Sequence, residues 1–477
     1  MNSELDNASV LGFCVVVIGS FLAAYLGRKH SNESAERNLS EQGLNRWLIG
    51  LSAGATANSG FVVTGAVGLG YSQGVYWLLL PLGWFVGDLL FWHSFPHRIN
   101  DFGRAAKAST LSDLISHQLG ISRLHPLVVV TTLLVLLCLG GYTLAQWVAG
   151  QKFLEGAFGA SNTISLLVFA ALIIAYTTIG RFRGSVYADS FQAITRLAGT
   201  AIALVTVSWA AFSKPDIFSL NITSAGSGFL SILGTGSLTT AIGVVVGYAA
   251  ASLGFGLGQP QVTSRYLAGQ SPAETRAARW IYILYVQSTW ATMTIFGVIL
   301  RGVSPDIPDP EKGLTIFLVS ALPPLLAGII IGDIFGAIAS TANSLLVAMA
   351  QAARGLLGPR LSLKVPFSAL TMGFGIVTVF LSSQLGSNAS VFEIAISSVS
   401  LMAAGLAPVV AIKVLRWPHS TSSVSLSIAL GLSSAILWKI SGLSENLNEA
   451  AIGFSVGLLT NYLFSPSNSP AKRRREV

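Results

Sequence analysis

The sequence predicts an all-α integral membrane protein of about 13 transmembrane helices, arranged around two inverted repeats of five helices each. Of its 477 residues, 52% are hydrophobic and 10% are charged, whereas soluble domains have about 25% charged residues. Apolar stretches of about 20 residues, the length of a helix that crosses a bilayer, recur from one end of the chain to the other. Two of these stretches are interrupted by small and polar residues, which is the feature that indicates repeats.

Composition excludes several other classes of protein. Both cysteines, Cys14 and Cys138, lie in apolar stretches, so a disulfide-stabilised scaffold is excluded, and no cysteine or histidine spacing indicates zinc. The formal net charge is +8, but the basic residues are dispersed among short connections and do not form one face. We therefore expect the lipid bilayer as a partner, no nucleic acid, and no obligate protein partner.

Each predicted span must be a helix, because a bilayer offers no partner for unpaired backbone groups. The first span lacks the basic start and the cleavage site of a signal peptide, so we expect it to be retained. The predicted spans lie near residues 9–27, 45–70, 75–96, 126–150, 162–180, 186–212, 236–260, 277–301, 323–351, 364–384, 391–415, 422–440 and 446–464.

Lysine and arginine residues indicate the orientation of the chain. With the N-terminus outside, only a few fall on the outer side: Lys152, Lys214, Arg301, Lys312 and Lys439. The inner connections then hold Arg28, Lys29, Arg37, Arg46, Arg98, Arg104, Lys107, Arg123, Arg181, Arg183, Arg265, Arg276, Arg279, Arg354, Arg360, Lys364, Lys413, Arg416 and the basic cluster of the tail. This asymmetry predicts a multi-pass protein of the plasma (inner) membrane, with the N-terminus outside and the C-terminus in the cytoplasm.

No linker separates domains, so we expect one membrane transport domain over residues 1–465, followed by a basic cytoplasmic tail at 466–477. The first core repeat covers about 45–212 and the second about 236–415. Two surface helices are predicted, one from the pattern of Leu111, Leu114 and Ile115, and the other at 313–321, just before two prolines.

Ionisable residues inside spans are costly, so each is a candidate for function. They are Asp88, Asp189, Arg196, Asp333 and Glu393. Asp189 and Arg196 lie about two helical turns apart and share a face, where they could also form a simple charge pair. Asp88, Asp333 and Glu393 lie near span ends, where solvation is easier.

Two spans carry interruptions at matching places. Residues 50–60 of the second span are small and polar and include Asn58, and residues 252–260 of the seventh include alternating glycines and Pro260. Such stretches favour broken helices whose free carbonyls bind ions and substrate between two repeats. The alternative is close packing of helices through small residues.

The ninth span adds a third polar patch, which contains Ser340, Thr341, Asn343 and Ser344. Hydroxyl and carbonyl oxygens are hard ligands that suit a cation such as Na⁺ and are poor ligands for zinc or copper. The alternative is that these hydroxyls only bond to their own helix backbone.

These residues resemble the sodium/solute symporter family, and most closely its sodium/proline branch. The resemblance covers most of the chain and rests on several segments that occur in the family's order. The segments are 52–55 with 59–60, 142 with 148–150, 186–189 with 192–193, 258–260 with 265–268, 339–341, and 403–410.

The resemblance implies a fold like that of amino acid/sodium symporters and two places for sodium. A first Na⁺ lies between the interrupted first core helix and the eighth, which here means Ala55, Asn58, Ala337, Ser340 and Thr341. Some members bind a second Na⁺, and the matching residues are Asp189, Ser340, Asn343 and Ser344. Proline-specific members have an aspartate where this chain has Ala57, so Asp189 becomes the main negative charge nearby.

The resemblance also points to residues for the solute: Ser59, Tyr142, Gln146, Ser252 and Phe255. The aromatic positions of the sixth core helix are altered. An alignment with the proline branch that has no gap places Ser252 and Gly256 at these aromatic positions. A gap of one residue restores an aromatic residue there, Phe255. The pocket is therefore expected to differ from that of proline-specific members.

We therefore expect no enzyme, but a sodium-coupled secondary active symporter that imports a small organic solute, such as the amino acid proline, by alternating access. Sodium is the only cofactor expected. One alternative is a proton-coupled carrier of the same fold that uses Asp189 or Glu393, and another is a transporter-like sensory module. A channel is disfavoured, because paired interruptions suit an occluded site.

Overall fold

A computed structural model describes residues 7–29, 43–108, 110–117, 119–122, 124–357, 364–385 and 389–466. Within these ranges the regular structure is helical, apart from one isolated bridge between Leu44 and Gly269, so the all-α prediction is confirmed. Arg37, Arg123, Arg360 and the basic cluster of the tail lie outside the described residues.

The helices follow one another with short connections. In the first half they are α1 (Asn7–Lys29), α2 (Arg46–Ala57), α3 (Gly60–Val63), α4 (Gly65–Gln73), α5 (Leu79–Ser94), α6 (Pro96–Ala106), α7 (Leu111–Ser116), α8 (Pro126–Phe158), α9 (Asn162–Ser213) and α10 (Pro215–Ser224). In the second half they are α11 (Leu238–Gly258), α12 (Pro260–Leu267), α13 (Pro272–Ala277), α14 (Arg279–Val303), α15 (Gly313–Ala321), α16 (Pro324–Leu356), α17 (Phe367–Ser383), α18 (Val391–Gly405), α19 (Ala407–Val414), α20 (Thr421–Ile440) and α21 (Glu449–Phe464). Short 3₁₀ turns occur at Gly74–Leu78, Pro310–Lys312 and Leu443–Glu445.

Eight helical segments in the described part of the chain are long and apolar enough to cross a membrane, or nine if the bent pair α18 and α19 is one span. Others are shorter or broken, so the count of 13 stays a prediction. The predicted fifth and sixth spans form one helical run, α9, which turns at Arg181 where φ is +53°.

The helices pack in two groups. The broken second span (α2, α3 and α4) packs with α14, and α5 packs along α11. The second group consists of α8, α9, α16 and α17, and α1 packs against α9 and α16. The two groups meet where α9 contacts α2 and α14 and where α16 contacts α2 and α3.

Glycine allows one very close contact between elements of the first group. A Cβ atom on Gly297 of α14 would lie 2.2 Å from the carbonyl oxygen of Val67 in α4. Real Cβ atoms do not come so close to an oxygen, so glycine is required for α14 to lie directly on the outer part of the broken span.

Both predicted surface helices are present, as α7 and α15. In α7 a capping box joins Thr110 and Asp113, while Leu111, Leu114 and Ile115 are buried. One expectation was wrong. Asp88 and Asp333 were expected to be solvated near span ends, but each is only 2% exposed, because other helices cover these positions.

Candidate functional site

The second span breaks at Asn58 and Ser59, as the polar stretch predicts. Ser59 has an extended backbone, and its hydroxyl accepts a hydrogen bond from the N–H of Phe61 at 3.2 Å. The N–H of Gly60 donates to Gln146 Oε1 at 2.9 Å, and the N–H of Val62 donates to the Ser59 carbonyl. These N–H groups therefore do not pair with the carbonyls four residues earlier, which belong to residues 56–58.

One of these released carbonyls contacts α16. The hydroxyl of Thr341 donates to the Thr56 carbonyl oxygen at 3.1 Å. Ala55, Ala337 and Thr341 are all buried. The structure therefore brings the break of the second span against the polar patch of the ninth, which are the two segments that the sequence predicted to meet.

Asn58 adds an unused oxygen at the break. Its Nδ2 donates to the Thr289 hydroxyl at 2.6 Å, while its buried Oδ1 accepts no hydrogen bond from a described residue. A buried acceptor without a donor is costly in the absence of a ligand. Together with the carbonyls at the break and the hydroxyl of Thr341, it makes an uncharged set of hard oxygens, which fits Na⁺.

The predicted second-site residues also converge, but around an arginine. Asp189 accepts hydrogen bonds from the hydroxyls of Ser52 and Ser340, each at 2.7 Å. Arg265 Nη2 lies 2.9 Å from Asp189 Oδ2 and donates to Ser344 at 2.7 Å. The guanidinium therefore neutralises the carboxylate that the sequence offered as the main negative charge.

The same arginine contacts further side chains of this cluster. Arg265 Nη2 donates to the Ser185 hydroxyl at 3.3 Å, and Asn343 donates to Ser185 at 2.7 Å. Arg265 was placed in an inner connection by the sequence analysis, and this was wrong, because it is 1% exposed in α12. The resemblance did include residues 265–268 among the core segments, but charge alone does not distinguish a cation just beyond an interruption from an ordinary loop residue.

The charge pair suggested between Asp189 and Arg196 is not formed. Arg196 Nη1 instead lies 2.9 Å from Asp333 Oδ2 on α16, and both side chains are almost fully buried. The shared face of α9 thus carries two charged residues, and each pairs with a residue of a different helix, α12 for Asp189 and α16 for Arg196.

The predicted solute residues fall into two places. Ser59 lies at the break itself, and Gln146 reaches it through the hydrogen bond from the N–H of Gly60. Phe255 and Tyr142 line an aromatic cavity of about 20 Å³, room for about one water molecule. Ser252 instead donates to Asp88 Oδ1 at 2.8 Å.

A larger cavity lies on the side predicted to be outside. It measures about 1050 Å³ and is lined by residues that include Tyr76, Trp77 and Glu393. Phe392 and Ile396 line both this vestibule and the aromatic cavity, so they separate the two. The aromatic cavity is thus nearly closed, although a wide vestibule leads up to it.

Comparisons with known proteins agree with this geometry. The model of the sodium:solute symporter family matches residues 38–354. The osmoregulated proline transporter of Bacillus subtilis (strain 168) is 24% identical, over 97% of this chain and 96% of its own length. The sodium/pantothenate symporter of Escherichia coli (strain K12) is 26% identical, over 71% of this chain and 69% of its own.

Solved structures show the same fold. A Na⁺-coupled sialic acid symporter in a substrate-bound outward-open state is similar with a TM-score of 0.75, at 16% identity, and the match covers 98% of this chain and 99% of that one. A nucleobase-cation-symport-1 family transporter is similar with a TM-score of 0.53, covering 92% of this chain and 97% of that one at 16% identity. These relatives and neighbours are transporters and not enzymes.

Proposed function

Because the chain belongs to the sodium:solute symporter family, we propose that it imports a small organic solute together with Na⁺ by alternating access. The B. subtilis relative, a proline transporter that matches over 97% of this chain, supports an amino acid such as proline as the solute. The protein works in the plasma membrane with its N-terminus outside and its C-terminus in the cytoplasm. Its two repeats, at about 45–212 and 236–415, each contribute helices to both groups, and the group with the interrupted second and seventh spans moves against the group with the ninth.

The contact between Thr341 and the Thr56 carbonyl is the observation that supports this proposal most. It joins the broken second span to the ninth at the place where backbone carbonyls are released. Ala55, Asn58, Ala337, Ser340 and Thr341 supply the oxygens for Na⁺. A cation held by oxygens of both segments favours the conformation in which they touch, and so couples ion binding to the movement of the two groups.

A single Na⁺ is enough to drive accumulation. Entry of one charge across about 100 mV contributes roughly 2.3 kcal/mol. A tenfold sodium gradient contributes about 1.4 kcal/mol more. Together they support several-hundredfold accumulation of a neutral solute, so the mechanism does not require a second ion.

The second cation position is taken by the chain's own arginine. Arg265 donates directly to Asp189 and Ser344. Ser340 is joined to it through Asp189, and Asn343 through Ser185. A second Na⁺ binds there only when the guanidinium leaves, which costs several kcal/mol because it separates a buried ion pair. We therefore propose one coupled Na⁺ per solute.

Proton coupling through the two carboxylates suggested by the sequence is less well supported. Asp189 is paired with Arg265, and Glu393 is exposed in the wide vestibule. Neither is a buried acid without a partner, which is the arrangement that a proton carrier needs.

The solute is identified by its effect on thermal unfolding of the purified protein. Amino acids, organic acids and sugars are screened in sodium buffer and in potassium buffer of equal ionic strength. We expect at least one solute to raise the unfolding temperature in sodium and to have little effect in potassium. If every solute that binds raises the unfolding temperature equally in sodium and in potassium buffer, coupling to Na⁺ is contradicted.

A further inference from the structure

Asp88 is a buried carboxylate that the proposed sodium site does not use. It is 2% exposed in α5, and its Oδ1 accepts a hydrogen bond from Ser252 at 2.8 Å. Asp189 and Asp333 are each paired with an arginine at 2.9 Å. No lysine or arginine of the described ranges stands within 4.0 Å of Asp88. An uncompensated carboxylate at this depth indicates a function.

Asp88 lies directly behind the aromatic cavity. It follows Trp84 by four residues, so the two side chains share a face of α5 one turn apart. Its partner Ser252 precedes Phe255 by one turn of α11. The rings of Trp84 and Phe255 lie 5.6 Å apart and line the cavity together. The Asp88 carboxyl group is therefore placed one helical turn from the cavity.

The cavity offers aromatic faces and very few acceptors. The ring centres of Trp84 and Trp290 are 4.8 Å apart, and those of Phe61 and Trp290 are 5.1 Å apart. Among its lining side chains, only that of Tyr142 carries an oxygen. A primary ammonium has three N–H groups that need acceptors, which this lining does not supply. An alkylated ammonium needs none and is attracted to the faces of indole rings.

Three unpaired donors lie on or near these aromatic faces. Trp84 Nε1 and Trp290 Nε1 belong to lining rings, and Gln146 Nε2 lies one turn of α8 beyond Tyr142; all three are buried without a hydrogen-bond partner among the described residues. The orientation of the Gln146 amide is defined, because its Oε1 accepts the hydrogen bond from Gly60. Buried donors of this kind are satisfied by an acceptor on the ligand, and a carboxylate is the strongest acceptor for them.

We infer that the solute is a small zwitterion of the betaine type, with a carboxylate and a nitrogen that is fully or nearly fully alkylated. Asp88 is the counter-charge for that nitrogen, and the inference rests on the proposed sodium-coupled transport. The charges then balance, since Asp88 and Na⁺ compensate each other around a solute of zero net charge. The aromatic side chains separate when the solute enters, because the closed cavity holds only about 20 Å³.

A methylation series tests this inference on the unaltered, full-length protein. Dissociation constants are measured by calorimetry in sodium buffer for glycine and its N-methyl, N,N-dimethyl and N,N,N-trimethyl derivatives. In 3,3-dimethylbutanoate an uncharged tert-butyl group of the same shape replaces the trimethylammonium group, so this tert-butyl analogue keeps the carboxylate and lacks the cation. We expect affinity to rise at least tenfold from glycine to trimethylglycine, and the tert-butyl analogue to bind at least tenfold more weakly than trimethylglycine.

A series in which glycine binds as tightly as trimethylglycine would overturn the inference, as would binding of the tert-butyl analogue as tight as that of trimethylglycine. A non-alkylated solute that binds in sodium, with no binding by the methylated series, would also overturn it but would leave the proposed function intact. Failure of Na⁺ to affect the binding of any solute would instead refute the proposed function.

Asp88→Asn tests the counter-charge itself. We expect the affinity for trimethylglycine to fall more than tenfold, while Na⁺ still raises the unfolding temperature in the absence of solute as it does in the wild type. Asp101→Asn is the matched control, because Asp101 has a side chain that is 67% exposed. If Asp88→Asn binds trimethylglycine with the affinity of the wild type, Asp88 is excluded as the counter-charge. If this variant does not fold, the methylation series decides the inference.

Discussion

At the scale of single residues, the account depends on uncharged oxygens that converge on one ion. Thr341 is the side chain whose hydroxyl spans the gap between α16 and the break of the second span. The polar patch of the ninth span made this residue predictable from the sequence. The carbonyl oxygen of Thr56, which accepts its hydrogen bond, was not predictable, because the backbone geometry at the break decides which carbonyls lose their helical partners.

We predict that Thr341→Ala raises the sodium concentration for half-maximal uptake by about tenfold. The variant loses one interaction worth about 1–1.5 kcal/mol, and 1.4 kcal/mol corresponds to a factor of ten. Thr131→Ala is the control, since that buried hydroxyl only bonds to the Leu127 carbonyl of its own helix. Unchanged sodium dependence of uptake in Thr341→Ala would remove Thr341 from the site.

Arg265→Gln tests whether the arginine takes the place of a second ion. The variant leaves Asp189 buried without a cation, which costs about 3–5 kcal/mol unless Na⁺ replaces the guanidinium. We therefore expect its unfolding temperature to be lower than that of the wild type in potassium and to rise more steeply with added sodium. Equal sodium slopes in variant and wild type would show that no second site exists.

The control for this prediction is Arg46→Gln. Arg46 forms an exposed ion pair with Glu274 at 2.5 Å, and such pairs contribute little to stability because water screens them. Its removal is expected to leave the sodium dependence of unfolding unchanged.

At the scale of elements, the break in the second span fits closely against α8. A Cβ atom on Gly60 would lie 2.5 Å from the Cβ of Ala149 and 3.1 Å from Gln146 Oε1. Any side chain at this position pushes the break away from Gln146. The shape of the site therefore depends on a glycine as well as on its polar residues.

Gly60→Ala is expected to lower the rate of uptake more than tenfold. Gly373→Ala is the matched control, because nothing lies within 4 Å of a Cβ at that position in α17. There, replacing glycine with alanine stabilises the helix by roughly 0.5–1 kcal/mol. Equal uptake by the two variants, at equal amounts of protein in the membrane, would show that the break tolerates displacement.

The elements themselves were largely predictable, since long apolar stretches define helices and small polar runs define the breaks. The partners of buried charges were not. Asp189 and Arg196 share a face of α9, yet each pairs with a residue of another helix. Asp189 pairs with Arg265 of α12, and Arg196 pairs with Asp333 of α16. Such pairs depend on how helices cross, and the hydrophobic periodicity of a single segment gives no information about that crossing.

At the scale of the whole molecule, two packed groups of helices meet at the proposed ion site. A vestibule of about 1050 Å³ opens on the predicted outer side, and the aromatic cavity beneath it is nearly closed. The arrangement suits a carrier that exposes its site to one side at a time. Alternating movement of the two groups is the property that distinguishes it from a channel.

The central claim is that a sodium gradient alone drives solute entry, and uptake into proteoliposomes tests it most directly. Purified protein is reconstituted, and entry of the labelled solute identified by the thermal screen is followed under an inward sodium gradient, or under an inward proton gradient without sodium. We predict accumulation with the sodium gradient, at one Na⁺ per solute, and none with the proton gradient. Accumulation driven by protons in the absence of sodium would contradict the account.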